Sequence, residues 1–235
     1  MTSSSLDAGP QIKALAFATK RVEGESAVVE ISADVAQPAG CAPMAVEFSL
    51  AAADNTFKAV ATVADGEASA HMEIERVSLW WPRELGSPEL HQLAARLFAA
   101  GKLLGESRQT VGIRAIEIVR PPDPDGFHAP IININGREMA CRWADWNPPL
   151  DTIEHATFEE YAERIAAIDA NTLRVSGGGI CESDAFYTAC DRIGMLVWLD
   201  FVIRGVTDGR TIEECRRNAS RSPTLRNHPC IALVW

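Results

Sequence analysis

The chain has no uninterrupted apolar run of roughly 18 residues, so no stretch of it reads as a membrane-spanning helix. Its start, MTSSSLDAGPQ, lacks a basic segment followed by an apolar core, so no secretory leader is read there. Cys41, Cys141, Cys181, Cys190, Cys215 and Cys230 show neither a CxxC pair nor zinc spacing. Reduced core thiols are the reading, and they point to a cytoplasmic location. Positive charge is in short supply. Lys and Arg total 22 against 32 Asp and Glu, giving a net charge of −10 and a pI near 5.0. That balance argues against nucleic acid or an anionic membrane surface as a partner. The G-x-G-x-x-G pattern is missing, so Gly177, Gly178 and Gly179 are no dinucleotide fingerprint, and no G-x-S-x-G elbow surrounds Ser176. His128, His155 and His228 lack metal-ligand spacing, and His228, in the run NHP, reads as capping or packing. Neither metal nor cofactor is expected.

What the chain does have is apolar mass, 47% of 235 residues, enough for one large domain or two small ones. Up to about Val119 it reads as all-β. QIKALAFATK, SAVVEISADVA, MAVEFSLAAA, KAVATVA and SAHMEIERV follow at regular spacing, with turn signals at 38–40, 53–55 and 65–66. Val28, Glu30 and Ser32 alternate with Val29, Ile31 and Ala33, as a half-buried strand requires. Short strands with turns at such intervals describe a β-sandwich of immunoglobulin type, although without the Cys–Trp–Cys arrangement of antibody domains. LHQLAARLFA has helix-forming composition but is assigned to a strand of the sandwich. The bland role for this region is a scaffold.

Beyond a stiff linker at 121–126, strands and helices alternate. Asn135-Gly136 predicts a hairpin turn, and Glu138–Arg142 is the candidate first strand of a parallel set. Thr157 with Glu160 forms a capping box, and Phe158, Tyr161, Ile165 and Ile168 make the helix's buried face. A buried strand at 172–176 leads through the glycine corner to Ser183, a predicted N-cap. Phe186, Cys190 and Ile193 share one face of the next helix, Gly194 ends it, and Met195–Phe201 is another buried strand. Thr211 with Glu214 opens a further helical region, and 228–235 is a fourth strand. The pattern is the first half of a βα barrel or a small doubly wound sheet. The last residues lie inside an apolar strand that would need cover on both faces, so a longer polypeptide is expected.

The run LRVSGGGICESDAFYTACDRIGMLVWLDF resembles the barrel of glycoside hydrolase family 2, in its β-mannosidase-like branch. That branch carries R-V-W-G-G-G-x-Y-E followed by F-Y-x-x-C-D-E-x-G-I-L-V-W-Q-D-F. RNHPCIALVW resembles the family's fourth strand, and LWWP at 79–82, VGIR at 111–114, ING at 134–136 and CRWADWNPP match upstream. The resemblance implies an immunoglobulin-like sandwich over 1–119, then strands 1–4 of an incomplete (β/α)8 TIM barrel over 120–235. It also implies retaining hydrolysis of terminal β-linked sugars by two carboxylates about 5–5.5 Å apart. Both glutamates are expected beyond Trp235, so no catalytic residue is assigned within these residues.

Sugar-site candidates follow residue by residue from the same resemblance. Arg174 matches the arginine that helps hold the active-site carboxylates, with a structural ion pair as its alternative. Asp200 matches a sugar-hydroxyl acceptor, and Trp146 a tryptophan that could stack on a sugar or belong to the core. Asp145 stands where the family usually has Asn, and Ser176 where a tryptophan lines the pocket. Leu199, Trp143 and Arg204 are further departures that bear on substrate preference. Trp198 is read as packing. Glu182 and Asp184 are read as surface charge suited to a helix N-terminus. The alternatives are a non-catalytic carbohydrate-binding or scaffold protein, or a family 2 enzyme for a β-galactoside, β-glucuronide or β-glucosaminide.

Overall fold

The computed structural model describes residues 9–38, 41–52, 55–121, 128–146, 160, 164, 167, 169–175, 182–199, 225 and 227–234. They fall into two compact units. One comprises the residues up to Val77 together with His91–Val111, and the other comprises Ser78–Leu90 with the chain from Gly112 onward.

The first unit is antiparallel throughout. β1 (Gln11–Glu23), β2 (Ser26–Ala36) and β5 (Glu67–Glu75) form one sheet in the order β1-β2-β5. β3 (Met44–Ala52), β4 (Asn55–Thr62), β6 (His91–Ala99) and β7 (Lys102–Val111) form the other, in the order β4-β3-β6-β7. Side chains alternate across each strand, so one face of each sheet is apolar. Val29, Ile31, Ala33 and Val35 of β2 are buried, as are Val46, Phe48 and Leu50 of β3 and Leu93, Ala95 and Leu97 of β6. This is a mostly β unit of sandwich construction, with its core between the sheets. β6 shows tertiary context overriding propensity. HQLAARLFA is rich in helix formers, but its period-two burial fits the slot between β3 and β7.

The second unit holds a three-stranded antiparallel sheet and a four-stranded parallel one. β8 (Ile116–Arg120), β9 (Ile131–Ile134) and β10 (Arg137–Ala140) pair in the order β10-β9-β8. Asn135 and Gly136 both adopt positive φ, 51° and 84°, in the turn that reverses the chain from β9 to β10. That reversal corrects one expectation. Residues 138–140 pair back onto β9, and the parallel set starts instead with β11 (Trp143–Asp145). β12 (Thr172–Val175), β13 (Leu196–Leu199) and β14 (Ile231–Val234) follow in sequence order, each parallel to its neighbour. Helix α1 (Asp184–Ile193) connects β12 to β13.

The division read from the sequence lay between 119 and 120. In the structure β8 pairs with β9, and the 78–90 excursion also packs into the second unit. Trp80 is the reason, because its side chain is fully buried in the core of that unit. Helix α1 buries Phe186 and Cys190 against this core, and Ile193 is partly buried there. Ser183 sits at the N-cap with extended backbone, but its side chain makes no capping hydrogen bond. Gly194 closes the helix in the left-handed region, at φ 70°. A Cβ there would lie 2.6 Å from the backbone nitrogen of Arg83, so both conformation and space exclude a side chain. The linker residues 122–126 lie outside the described residues, as do nearly all of the 157–168 helix, Gly177–Gly179 and the region around Thr211.

Candidate functional site

Three neighbouring parallel strands bring together residues far apart in sequence. Asp145 ends β11, and the register sets it beside Arg174 of β12, which in turn sits beside Trp198 of β13. Two-residue alternation adds Trp143 to the same face as Asp145. Contacts follow from that register. Arg174 Nη1 lies 3.7 Å from Asp145 Oδ1. The guanidinium also stands 4.9 Å from the centre of the Trp198 ring, in cation–π contact. Trp143 meets Trp198 edge-on, with ring centres 5.5 Å apart. The cluster occupies the carboxyl ends of the strands, where parallel α/β sheets place their ligand sites.

Exposure separates the members. The Asp145 side chain is 52% exposed and that of Arg174 is 33% exposed, so their ion pair contributes little stability. Trp198 is buried, and among the described residues its indole N–H has no hydrogen-bond acceptor. A buried donor without an acceptor costs about 1–3 kcal/mol.

Trp146 faces the other way. It is buried, with its ring 4.5 Å from Phe186 of α1 and its backbone N–H donating to the Arg174 carbonyl at 2.8 Å. Its indole N–H donates to Glu182 Oε1 at 2.7 Å. The core alternative for this tryptophan is therefore the arrangement the described residues display. Asp200 and Ser176 lie outside the described residues, as does Arg204.

Sequence reasoning missed the polar partners that brace this unit. Glu182 and Asp184, read as solvated helix-end charge, bond Trp146 and His228. At the amino end of β12, buried Asn171 accepts from the Arg142 amide at 2.8 Å. Its side-chain amide donates to Glu84 and to the Ala140 carbonyl. Arg142 grips the Glu84 carboxylate with both terminal nitrogens, at 3.3 and 2.7 Å. The hydrogen bond from Arg142 holds the Glu84 carboxyl below its usual value, against a smaller opposing effect of burial and with help from Asn171. Arg114 donates to the carbonyls of Pro229 and Ile231 at 2.5 and 2.6 Å, and burial lowers its guanidinium to about 10. Local sequence carries no signal for these pairs, since Glu84 and Asn171 stand 87 positions apart. Among the described residues, no group of three or more His, Cys, Asp or Glu could hold a metal ion.

Residues 5–114 match the family model of the glycosyl hydrolases family 2. The chain is 32% identical to β-mannosidase B of Aspergillus terreus over 184 residues, which is 75% of this chain and 22% of that protein. It is 30% identical to β-mannosidase B of Emericella nidulans over 185 residues, 76% of this chain and 22% of the relative. The chain therefore spans about a fifth of the length of the curated relatives it matches. Among solved structures it resembles the β-D-mannosidase of Dictyoglomus thermophilum, with a TM-score of 0.77 and 26% identity over 96% of this chain and 29% of that one. The β-glucuronidase of Bacteroides uniformis, at 22% identity and a TM-score of 0.67, shares the fold.

Proposed function

We propose that these residues are part of a retaining, exo-acting β-glycosidase of β-mannosidase type, which hydrolyses terminal β-linked sugars. In this reading the antiparallel unit is the immunoglobulin-like sandwich, and β11 to β14 are the first four strands of a (β/α)8 barrel. The observation that carries the proposal is the Asp145–Arg174–Trp198 cluster at the carboxyl ends of three parallel strands, in a chain 32% identical to a β-mannosidase. Arg174 and Asp145 serve the saccharide site, together with Asp200 and Ser176. Trp146 contributes by shaping the wall behind them. The nucleophile and the acid/base carboxylates come from sequence outside these 235 residues. The reaction takes place in the cytoplasm.

Two measurements test this. The coding sequence downstream of Trp235 should continue with an Asn-Glu pair within a few residues, and its absence there would remove the β-mannosidase assignment. The extended polypeptide should release nitrophenol from nitrophenyl β-mannoside in preference to the β-galactoside, β-glucuronide and β-glucosaminide. Preference for another of these sugars would move the specificity without changing the reaction class.

A further inference from the structure

The turn that precedes β14 holds a histidine with both ring nitrogens engaged. His228 is 5% exposed. Its Nδ1 lies 2.5 Å from Asp191 Oδ2, and its Nε2 lies 3.0 Å from Asp184 Oδ1. A neutral imidazole has one N–H and one lone pair, so it can donate to only one of two carboxylates. Its other nitrogen would then face an acceptor oxygen with a lone pair. The imidazolium donates to both. Asp184 and Asp191 stand about two turns apart on α1, which puts both on the helix face that meets the turn.

We infer that His228 is a protonated bridge between two carboxylates of α1, a latch that fixes the 227–230 turn and thereby the start of β14. The remaining contacts agree with that role. The Cys230 amide donates to the second oxygen of Asp191 at 2.9 Å, so one carboxylate holds both the histidine and the strand that follows. The Asp191 carbonyl accepts from the Trp80 indole at 2.9 Å. Arg114, from the segment before β8, holds the same turn through the Pro229 and Ile231 carbonyls. The Tyr187 ring packs 5.4 Å from the imidazole.

Burial opposes the charge on His228, but the hydrogen bonds it donates to Asp191 and Asp184, and the charges of those two carboxylates, outweigh it. The net effect raises the histidine above its ordinary value of 6.5. Burial pushes the Cys190 and Cys230 thiols well above their usual value, and Arg114 at about 10 stays charged. A histidine raised on folding contributes stability that is complete below its unfolded value and lost as pH climbs through its folded value. The latch therefore opens on the alkaline side. It rests on the geometry of α1 and the turn alone, and it stands or falls independently of the glycosidase assignment.

The test uses the 235-residue chain labelled with nitrogen-15. His228 is identified in ring correlation spectra by its proximity to Tyr187, and its two ring nitrogens are followed from about pH 5 to about pH 9. Both should be protonated at about pH 7, with the proton lost only above 6.5. One unprotonated ring nitrogen at about pH 7 would overturn the bridge. Asp184→Asn replaces the outer carboxylate with an amide and should lower the pH at which His228 titrates. An unchanged midpoint excludes the second arm. Thermal melts add a readout of the latch itself, because the wild type should lose more stability than His228→Gln between about pH 6.5 and about pH 9. Equal slopes would leave no latch. Should His228→Gln fail to fold, the ring titration and Asp184→Asn still decide.

Discussion

The indole N–H of Trp80 donates to the backbone carbonyl of Asp191 at 2.9 Å, across 111 positions of sequence. This bond ties the 78–90 excursion to helix α1. Asn135 reinforces the same excursion, its side chain accepting from the Ala115 amide and donating to the Trp80 carbonyl. An insertion between two sandwich strands thus belongs to the core of the parallel unit.

Removal of the Trp80 ring should accordingly unfold the parallel unit while sparing the sandwich. Trp80→Ala should cost about 3–5 kcal/mol through cavity formation. Trp80→Phe should cost less, since most of the volume remains and one buried acceptor is left open. Denaturant titration followed by residue-resolved hydrogen exchange would show the loss concentrated in β9, β12 and β13.

Gly112 provides a steric check on the same corner. A Cβ at this position would stand 2.5 Å from Pro229 Cγ and 2.7 Å from Pro229 Cβ, with Trp80 Cβ at 3.0 Å. The proline ring has no rotamer by which to retreat. Gly112→Ala should destabilise by about 1–3 kcal/mol through overpacking, measured by equilibrium unfolding. A neutral effect would mean that the turn before β14 is able to shift.

Acid sensitivity should trace in part to Glu84. Its carboxyl is held below 4.5 by Arg142, so its contribution to stability is present above that value and lost as pH falls through the lowered folded value. Glu84→Gln should flatten the loss of melting temperature over the acid range relative to wild type. An unaltered acid slope would remove Glu84 as its source. Arg142 and Asn171 also bond neighbouring backbone, so the variant should still fold.

In an extended polypeptide with glycosidase activity, Arg174 should matter far more than Asp145. Arg174 reaches both the carboxylate and the Trp198 ring, so Arg174→Ala should lower kcat/KM by about 100-fold, as expected for loss of one oriented cation at a developing charge. Arg174→Lys should rescue little of this, because a lysine keeps the charge and loses the planar stacking. Asp145 is more than half exposed, and Asp145→Asn should change kcat/KM by less than about 10-fold. Steady-state kinetics on a nitrophenyl glycoside would separate the three variants.

Alternation made strands such as β2 legible because it reports burial directly, whereas β6 is helix-forming in composition and is assigned to a strand from its place in the sandwich. Helix α1 was legible too, since Phe186, Cys190 and Gly194 each carried a local signal. The first parallel strand was misplaced by a few residues. The hairpin signal at Asn135-Gly136 folds Arg137–Ala140 back onto Ile131–Ile134, which leaves the parallel set to begin at Trp143. The candidate site was partly legible. Arg174, Asp145 and Trp146 could be named from motifs, but the motifs said nothing about which face each side chain would take.

By itself the sequence determined the elements of this protein, its charge, its two kinds of sheet and its likeness to a family of sugar-cleaving enzymes. These follow from patterns a few residues long, which register burial and backbone preference locally. Tertiary structure alone decided that Trp80 belongs with α1, that Glu84 answers Arg142, that Trp146 turns inward while Trp198 stands beside Arg174, and that His228 lies between two carboxylates. Each of these is a contact between distant segments. Its energy depends on register, burial and mutual orientation, and those quantities come into existence only when the strands have paired.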